Sequence, residues 1–333
     1  MKKLPINNPP ILGRLHITYP LIPILNHPDG ISYIYNHFIN VECIKDRNRN
    51  DLNYCFLSQL SRNDSSWIFY LLDYYRNKNF ALQGDLVEQL LKKIDEGWYV
   101  YIHFDDFYLK GKANYNKNHF LHVNFIYGYD IQKAEFLTVG YNYRGIYTKM
   151  NITFEEANQG YYFYDSDGVE FMKTALNKKY KFDNKRLILQ LLDYVNSENN
   201  LTSIDDFEFY GINKNDYIYG VCTYDNLIYN LKEVKNGHFY YDNRNMYVLW
   251  EHKSLMVDRI CFLINKFGYG FLEEQKQNYF EIMEQSTIIK NLMHKWSITR
   301  EELLVNKAID LLKSLQEKEI SSLNTIIEKL CTI

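Results

Sequence analysis

Beyond residue 28 the chain has no proline; Pro5, Pro9, Pro10, Pro20, Pro23 and Pro28 all fall within its first 29 residues. Proline cannot donate to a strand ladder and breaks the interior of a helix, so residues 1–29 read as an extended lead-in wrapped over a surface. Cysteine is scarce: Cys43, Cys55, Cys222, Cys261 and Cys331 are odd in number, scattered and free of any C-x-x-C pair. That pattern excludes a disulfide framework and a cysteine zinc site, and points to a reducing, cytoplasmic setting. Each thiol taken alone reads as a small buried hydrophobe. Charge of one sign is lacking as well. With 38 basic and 41 acidic residues the net charge is −3, without the basic patch of a nucleic-acid-binding protein. No apolar run approaches the 18 residues of a membrane span. Behind Lys2 and Lys3 there is no apolar stretch to make a signal peptide. There is no internal repeat and no charge block long enough to be an interaction tail.

What the chain has in abundance is aromatic surface. Its 31 tyrosines and 20 phenylalanines run through all 333 residues, so they predict many half-buried rings and mark no single site. Such a length fits two domains or one large one with an extension. The patterning divides the chain near residue 168, with an α+β region over 1–168 and a mostly helical region over 169–333.

In the first region, Ile31, Ile34, Tyr35 and Phe38 recur at helical spacing, and Asp29 stands where an N-cap belongs. Residues 45–51 form a charged loop. Residues 65–72 read as a helix start or a buried segment. Residues 86–94 predict an amphipathic helix stopped by Gly97, followed by a strand over 98–104. A polar loop over 110–118 leads to the densest apolar stretch, 118–130, with 134–141 as its hairpin partner and 130–133 as the turn. Thr153 opens a short helix. In the second region, residues 182–196, 252–267, 271–296 and 300–317 have helical periodicity, and residues 299–302 have the pattern of a capping box.

The 118–130 strand carries the first candidate for chemistry. His122, Asn124 and Ile126 share one face of a regular strand. An imidazole held rigidly there is either a general base or a hydrogen-bonded core histidine, and the strand alone favours the core residue.

Two segments weigh the other way. Residues 97–129, with Trp98-Tyr99-Val100-Tyr101-Ile102 before the polar loop and His119-Phe120-Leu121-His122 leading to Gly128-Tyr129-Asp130, resemble the butirosin-biosynthesis-protein-H N-terminal family, itself similar to the C39-type cysteine peptidases. Residues 219–227, 242–249 and 251–256, with Arg259, resemble the helical C-terminal portion of such proteins. The motifs are short; their order carries the likeness. It implies a papain-like fold and acyl transfer or amide formation in natural-product (non-ribosomal-peptide-type, antibiotic) biosynthesis. The implied donor is a thioester on the phosphopantetheine arm of an acyl or peptidyl carrier protein, and the acceptor a small amine. No cofactor is implied, and a homodimer is compatible with it. Catalytic degeneracy into a binding or partner protein, and peptidase activity, are the alternatives.

By that likeness the base is His122, with His119 the less favoured choice, and Asn142 is the one amide on the next strand to orient it. A thiolate would attack the acyl carbonyl. The matching nucleophile position reads Asp29-Gly30, neither of them a cysteine. Cys55, with Asn53 as the cap of a second helix, is the fallback nucleophile against a buried structural thiol, while Cys43 sits at the wrong end of its helix. Lys110, Lys112 and Lys117 could meet the acidic face of a carrier, or simply line a solvated loop.

Other polar groupings read as structural. His103 with Asp105 and Asp106 suggests a metal but lacks a third ligand, so a solvated loop is expected. Asp165-Ser166-Asp167-Gly168 begins like a calcium loop, but Leu176 stands where a Glu is needed. Residues 242–244 and 251–253 could line a ligand surface, but capping a helix over 252–267 and pairing across the domain interface are the favoured expectation.

Overall fold

The structure, a computed structural model, describes residues 1–57, 70–80, 84–161, 168–200 and 214–332. The chain is α+β, with an antiparallel sheet region towards the N-terminus and a mainly helical C-terminal part. It divides into two compact units, Met1–Gly30 with Ser61–Tyr180, and Ile31–Leu60 with Lys181–Ile333. Among the described residues no helix is long and apolar enough to cross a membrane.

The first unit is built on a seven-stranded antiparallel sheet. Its strands are β1 (Lys2–Lys3), β4 (Leu72–Asn77), β5 (Tyr99–Asp105), β6 (Leu121–Asp130), β7 (Glu135–Tyr141), β8 (Tyr147–Thr153) and β9 (Val169–Thr174), in the order β4-β9-β5-β6-β7-β8 with β1 on β6. The expected hairpin is present: β6 and β7 pair from Asp130↔Glu135 inward, with a bulge between Ile126 and Gly128. Gly128 has no room for a side chain, since a Cβ there would lie 2.5 Å from the Lys2 carbonyl oxygen of β1. Alternation along β5 sends Val100, Ile102 and Phe104 into a core shared with Ile126, Phe136, Ile152 and Phe171.

Two helices pack on that core. Helix α3 (Leu86–Asp95) contributes Leu86, Leu90 and Ile94 at i, i+4, i+8, is capped by the Asp85 side chain, and is followed by Gly97 at φ +89°. Helix α4 (Phe154–Gly160) begins with a complete capping box between Thr153 and Glu156.

Residues 1–29 are not only an extended lead-in. Helix α1 (Leu15–Ile24) lies within them and contains Pro20 and Pro23. Every residue from Ile17 to Ile24 is buried. Burying Ile17, Tyr19, Leu21, Ile22 and Ile24, each at 0–1% exposure, offsets the two missing helical donors. The carboxylate of Asp29, the expected N-cap, accepts from the Tyr180 backbone N–H at 3.0 Å. The expected feature at 65–72 lies largely outside the described residues, as does most of the calcium-like stretch 165–168.

The second unit holds a three-stranded antiparallel sheet, β10 (Tyr217–Tyr219), β2 (Val41–Ile44) and β3 (Cys55–Phe56), in the order β10-β2-β3. Its helices are α2 (Gly30–His37, whose first residue closes the first unit), α5 (Asn184–Asn196), α6 (Thr223–Lys235), α7 (Asn243–Phe267), α8 (Glu273–Thr299) and α9 (Glu302–Leu330). Helix α7 starts nine residues before the expected 252, at the Asp242 cap, so residues 251–253 are helix interior and not a cap. The 299–302 capping box does not form. Thr299 still belongs to α8, Arg300 ends that helix at φ +61°, and the Glu301 N-cap of α9 makes no side-chain cap bond. With two residues between the helices, Thr299 cannot leave one to cap the other.

Candidate functional site

The sheet of the first unit positions a small polar cluster. At the end of β5 the backbone turns through a single 3-10 turn, Asp106–Tyr108, which Asp105 caps. The Asp105 carboxylate accepts from the backbone N–H groups of Phe107 and Phe120, each at 3.0 Å, and its Oδ2 lies 2.6 Å from His119 Nδ1. Asp106 N–H donates to the Phe120 carbonyl at 2.9 Å. Two consecutive aspartates thus clamp the exit of β5 to the start of β6. Asp105 is saturated by this work. Its bonds, with burial opposing them, hold its carboxyl below the usual range.

Asp106 is different. It is 4% exposed, so the expected solvated loop is overturned. Its Oδ2 is 3.3 Å from His122 Nδ1, while Oδ1 has no hydrogen-bond partner among the described residues. His122 stands opposite Phe104 in the β5–β6 register, which brings its ring to the same sheet end as Asp106. The imidazole is 29% exposed and its Nδ1 makes no aligned hydrogen bond, a distance and angle that ligand-free sites often show before closure.

Lys112 follows three residues after Leu109, to whose carbonyl its backbone N–H donates at 3.0 Å. It is 4% exposed, whereas Lys110 and Lys117 are exposed. Burial draws its ammonium below the usual lysine range, and the Asp106 charge opposes that shift. Tyr19 of α1 is fully buried, stacked on Phe125 at 4.9 Å and edge-on to Tyr101 at 5.8 Å. The hydroxyls of Tyr19 and Tyr147 have no hydrogen-bond partner among the described residues. Buried polar atoms in native proteins nearly always have partners, so such a gathering calls for an explanation.

The sequence candidates fall as follows. Asn142 is committed to the β7–β8 turn, where its Oδ1 accepts from the N–H groups of Arg144 at 2.9 Å and Ile146 at 3.1 Å. The group set against His122 is Asp106. Cys55 opens strand β3, not a helix, and is fully buried in the second unit, whereas His122 belongs to the first. Its Sγ lies 3.9 Å from the Glu42 carboxylate, a neighbour whose sign works against a thiolate. Cys43 is also on a strand, β2, and burial pushes its thiol up to about 12. At the Asp29-Gly30 position, a Cβ on Gly30 would sit 2.1 Å from the Ile24 carbonyl oxygen, so no larger residue fits there. The sequence of the first unit contains no cysteine at all. Among the described residues no group of three or more His, Cys, Asp and Glu could hold a metal ion.

No family model and no curated protein matches this chain. What can be said of the site therefore comes from its own geometry. A histidine facing a buried carboxylate can take and return a proton. A buried ammonium and a buried phenol are hydrogen-bond donors that an oxygen acceptor could satisfy. The sequence offered Asp106 only as a metal ligand or part of a solvated loop and Lys112 only as a surface lysine, and gave no sign of Tyr19. The one signal for Asp106 was its place inside Phe104-Asp105-Asp106-Phe107-Tyr108-Leu109, where apolar neighbours on both sides argue against a solvated loop.

Proposed function

We propose that the first unit is a papain-like acyl-transfer domain that works without a thiol of its own. The observation that carries this reading is the His122–Asp106 couple, 3.3 Å apart beside buried Lys112, in a unit whose sequence has no cysteine. The substrate is an acyl thioester presented by a carrier protein in natural-product biosynthesis, and the acceptor is a small amine. His122 takes the proton of the amine as its nitrogen attacks the thioester carbonyl. Asp106, facing Nδ1, holds the ring orientation and stabilises the imidazolium. That attack forms the C–N bond; collapse of the tetrahedral intermediate then restores the carbonyl and breaks C–S, and the imidazolium returns its proton to the leaving thiolate. The exposed Lys110 and Lys117 suit the acidic face of a carrier, and the reaction would run in the cytoplasm.

The test is thioester aminolysis with an acyl-pantetheine and a primary amine, following thiol release and amide formation. His122→Ala is expected to slow turnover by about 100-fold or more, the usual worth of general acid–base catalysis. Cys55→Ala is expected to keep full activity, and intact mass is expected to show no acyl-enzyme. An acyl group trapped on the protein, or an undiminished His122→Ala variant, would sink the mechanism. A second reading, binding without turnover, draws on the unaligned His122–Asp106 contact. It predicts tight thioester binding by a native protein that releases no thiol.

A further inference from the structure

The exit of β5 and the entry to β6 hold two carboxylate–imidazole pairs, and the acyl-transfer mechanism uses one of them. Consecutive Asp105 and Asp106 face His119 and His122, which stand three residues apart in the chain. Three residues of extended chain span at most about 10 Å, which keeps both pairs at one end of the sheet. The unused pair is the better formed. His119 Nδ1 is 2.6 Å from Asp105 Oδ2, against 3.3 Å between His122 and Asp106. Asp105 is anchored in turn by the N–H groups of Phe107 and Phe120, each at 3.0 Å, and Phe107 stacks on the His119 ring at 4.3 Å. An ionised carboxylate only accepts, so Nδ1 carries the hydrogen and Nε2 of the uncharged ring keeps its lone pair. That Nε2 has no hydrogen-bond partner among the described residues, and the side chain is 68% exposed.

A surface histidine beside a carboxylate is ordinary, and His238 supplies the comparison. Its Nδ1 is 2.7 Å from Glu233 and its side chain is 65% exposed. No aromatic ring holds it among the described residues, and the Glu233 carboxylate has no second bond there. His119 is fixed on both its edge and its face, so its Nε2 points one way. Acyl transfer to an amine leaves a task for such a group. An alkylammonium like that of lysine has a pKa of about 10.4, so at pH 7 roughly one amine in a thousand or fewer is uncharged. Two protons must therefore leave the acceptor nitrogen, one before it can attack and one as it attacks. His122 takes the second. We propose that His119, held by Asp105, takes the first. Its Nε2 accepts a proton from the ammonium, directly or through one water, and so frees the electron pair with which the nitrogen attacks. The imidazolium then gives that proton to bulk solvent. Exposure suits the task, because a base that empties into water at every turnover must touch it. The assignment rests on the acyl-transfer reading and adds a second base to it.

The acceptor supplies the test, since an amine that arrives uncharged needs one base and not two. Full-length native, His119→Gln and His122→Ala proteins are assayed at pH 7 with hexanoyl-pantetheine. The acceptor is either ethylamine or trifluoroethylamine, whose ammonium is more acidic than imidazolium. His119→Gln is expected to lose about 100-fold in kcat/KM with ethylamine and less than about threefold with trifluoroethylamine. His122→Ala is expected to lose about 100-fold with both. The melting temperature of each variant is checked first, and His119→Ala is read in the same way should His119→Gln melt below the native protein. Equal losses with the two amines, or no loss with ethylamine, overturn the assignment and leave acyl transfer standing. A native protein that turns over neither amine overturns the acyl-transfer reading, and the second base falls with it.

Discussion

Two buried polar clusters, one in each unit, are built in opposite ways. In the second, Glu319 of α9 is 0% exposed and accepts from the hydroxyls of Tyr194 at 2.9 Å, Tyr224 at 2.8 Å and Tyr279 at 3.0 Å. Lys253 of α7 donates to both of its oxygens at 2.7 Å, to the Tyr194 hydroxyl at 3.0 Å and to His252 Nδ1 at 3.0 Å. His252 completes the set by donating from Nε2 to the Ile39 carbonyl at 2.7 Å. One carboxylate thus ties together α5, α6, α7, α8 and α9, and each group has found a partner. In the first unit, Asp106, His122, Tyr19 and Tyr147 leave side-chain polar atoms without a hydrogen-bond partner among the described residues. A saturated buried network has nothing left for a ligand and serves the fold. An unsaturated one gives up stability and is the place to look for function.

The sharpest break in this comparison comes from Glu319→Ala. It would leave a buried ammonium and three phenols without their acceptor, and is expected to cost about 3–5 kcal/mol. Urea unfolding reads it directly. The double variant Lys253→Met, Glu319→Gln is expected to lose less than the sum of its parts, because the two groups act as one unit. Strict additivity would mean the network is not coupled. Asp106→Asn should behave in the opposite sense. Its unfolding free energy is expected to stay within about 1 kcal/mol of native, because few bonds are lost. Aminolysis by that variant is expected to fall by about 100-fold. Large destabilisation with intact turnover would place Asp106 with Glu319 on the structural side.

The second unit also carries the acid sensitivity. Burial of His37, with Arg186 adding to it and the Tyr33 carbonyl opposing, lowers its pKa from 6.5 to about 3. Burial and the Lys253 charge hold His252 well below the usual range too. The unfolded chain takes up these protons near 6.5 while the native protein refuses them, so between the two values the unfolded state binds more protons. Stability is then complete above about pH 6.5 and falls on acidification, by up to about 1.4 kcal/mol per pH unit for each histidine. His37 stops contributing to that slope below about pH 3. Unfolding midpoints at pH 7, 5.5 and 4.5 are expected to show a shallower slope for His37→Gln than for native protein. Equal slopes would exclude His37 as a source.

Local periodicity made a good part of the fold legible. Helix α3, the β6–β7 hairpin and the helices of the second region follow patterns of period 3.6 or 2 that neighbouring residues enforce on one another. Helix α1 did not, because its two prolines are a local signal that burial of Ile17 to Ile24 overrides. Nor does any period report that residues 31–60 group with 181–333, since β2 pairs with β10 across more than 170 residues. In the candidate site, His122 was legible from its strand. Asp106 was not, because only the β5–β6 register brings it to that ring. Lys112 was invisible for a plainer reason: a lysine in a polar loop carries no mark of being buried.

Tyr19→Phe gives the smallest effect and bears most directly on the comparison. A phenol that donates to a partner loses about 1 kcal/mol when its oxygen is removed, whereas one whose oxygen is buried without a partner loses nothing or gains. Burial raises the Tyr19 phenol well above its usual range, so the group is a neutral donor at any ordinary pH. Tyr19→Phe is therefore expected to unfold within about 0.5 kcal/mol of native or slightly above it. Tyr279→Phe, which removes one donor from Glu319, is expected to be destabilised by about 1.5–3 kcal/mol as a bond to a charged group. If the two phenylalanine variants lose equal stability, Tyr19 is a structural tyrosine like Tyr279 and the contrast between the units disappears. If Tyr19→Phe is neutral in folding yet impaired with acyl-pantetheine, its hydroxyl is kept for a ligand.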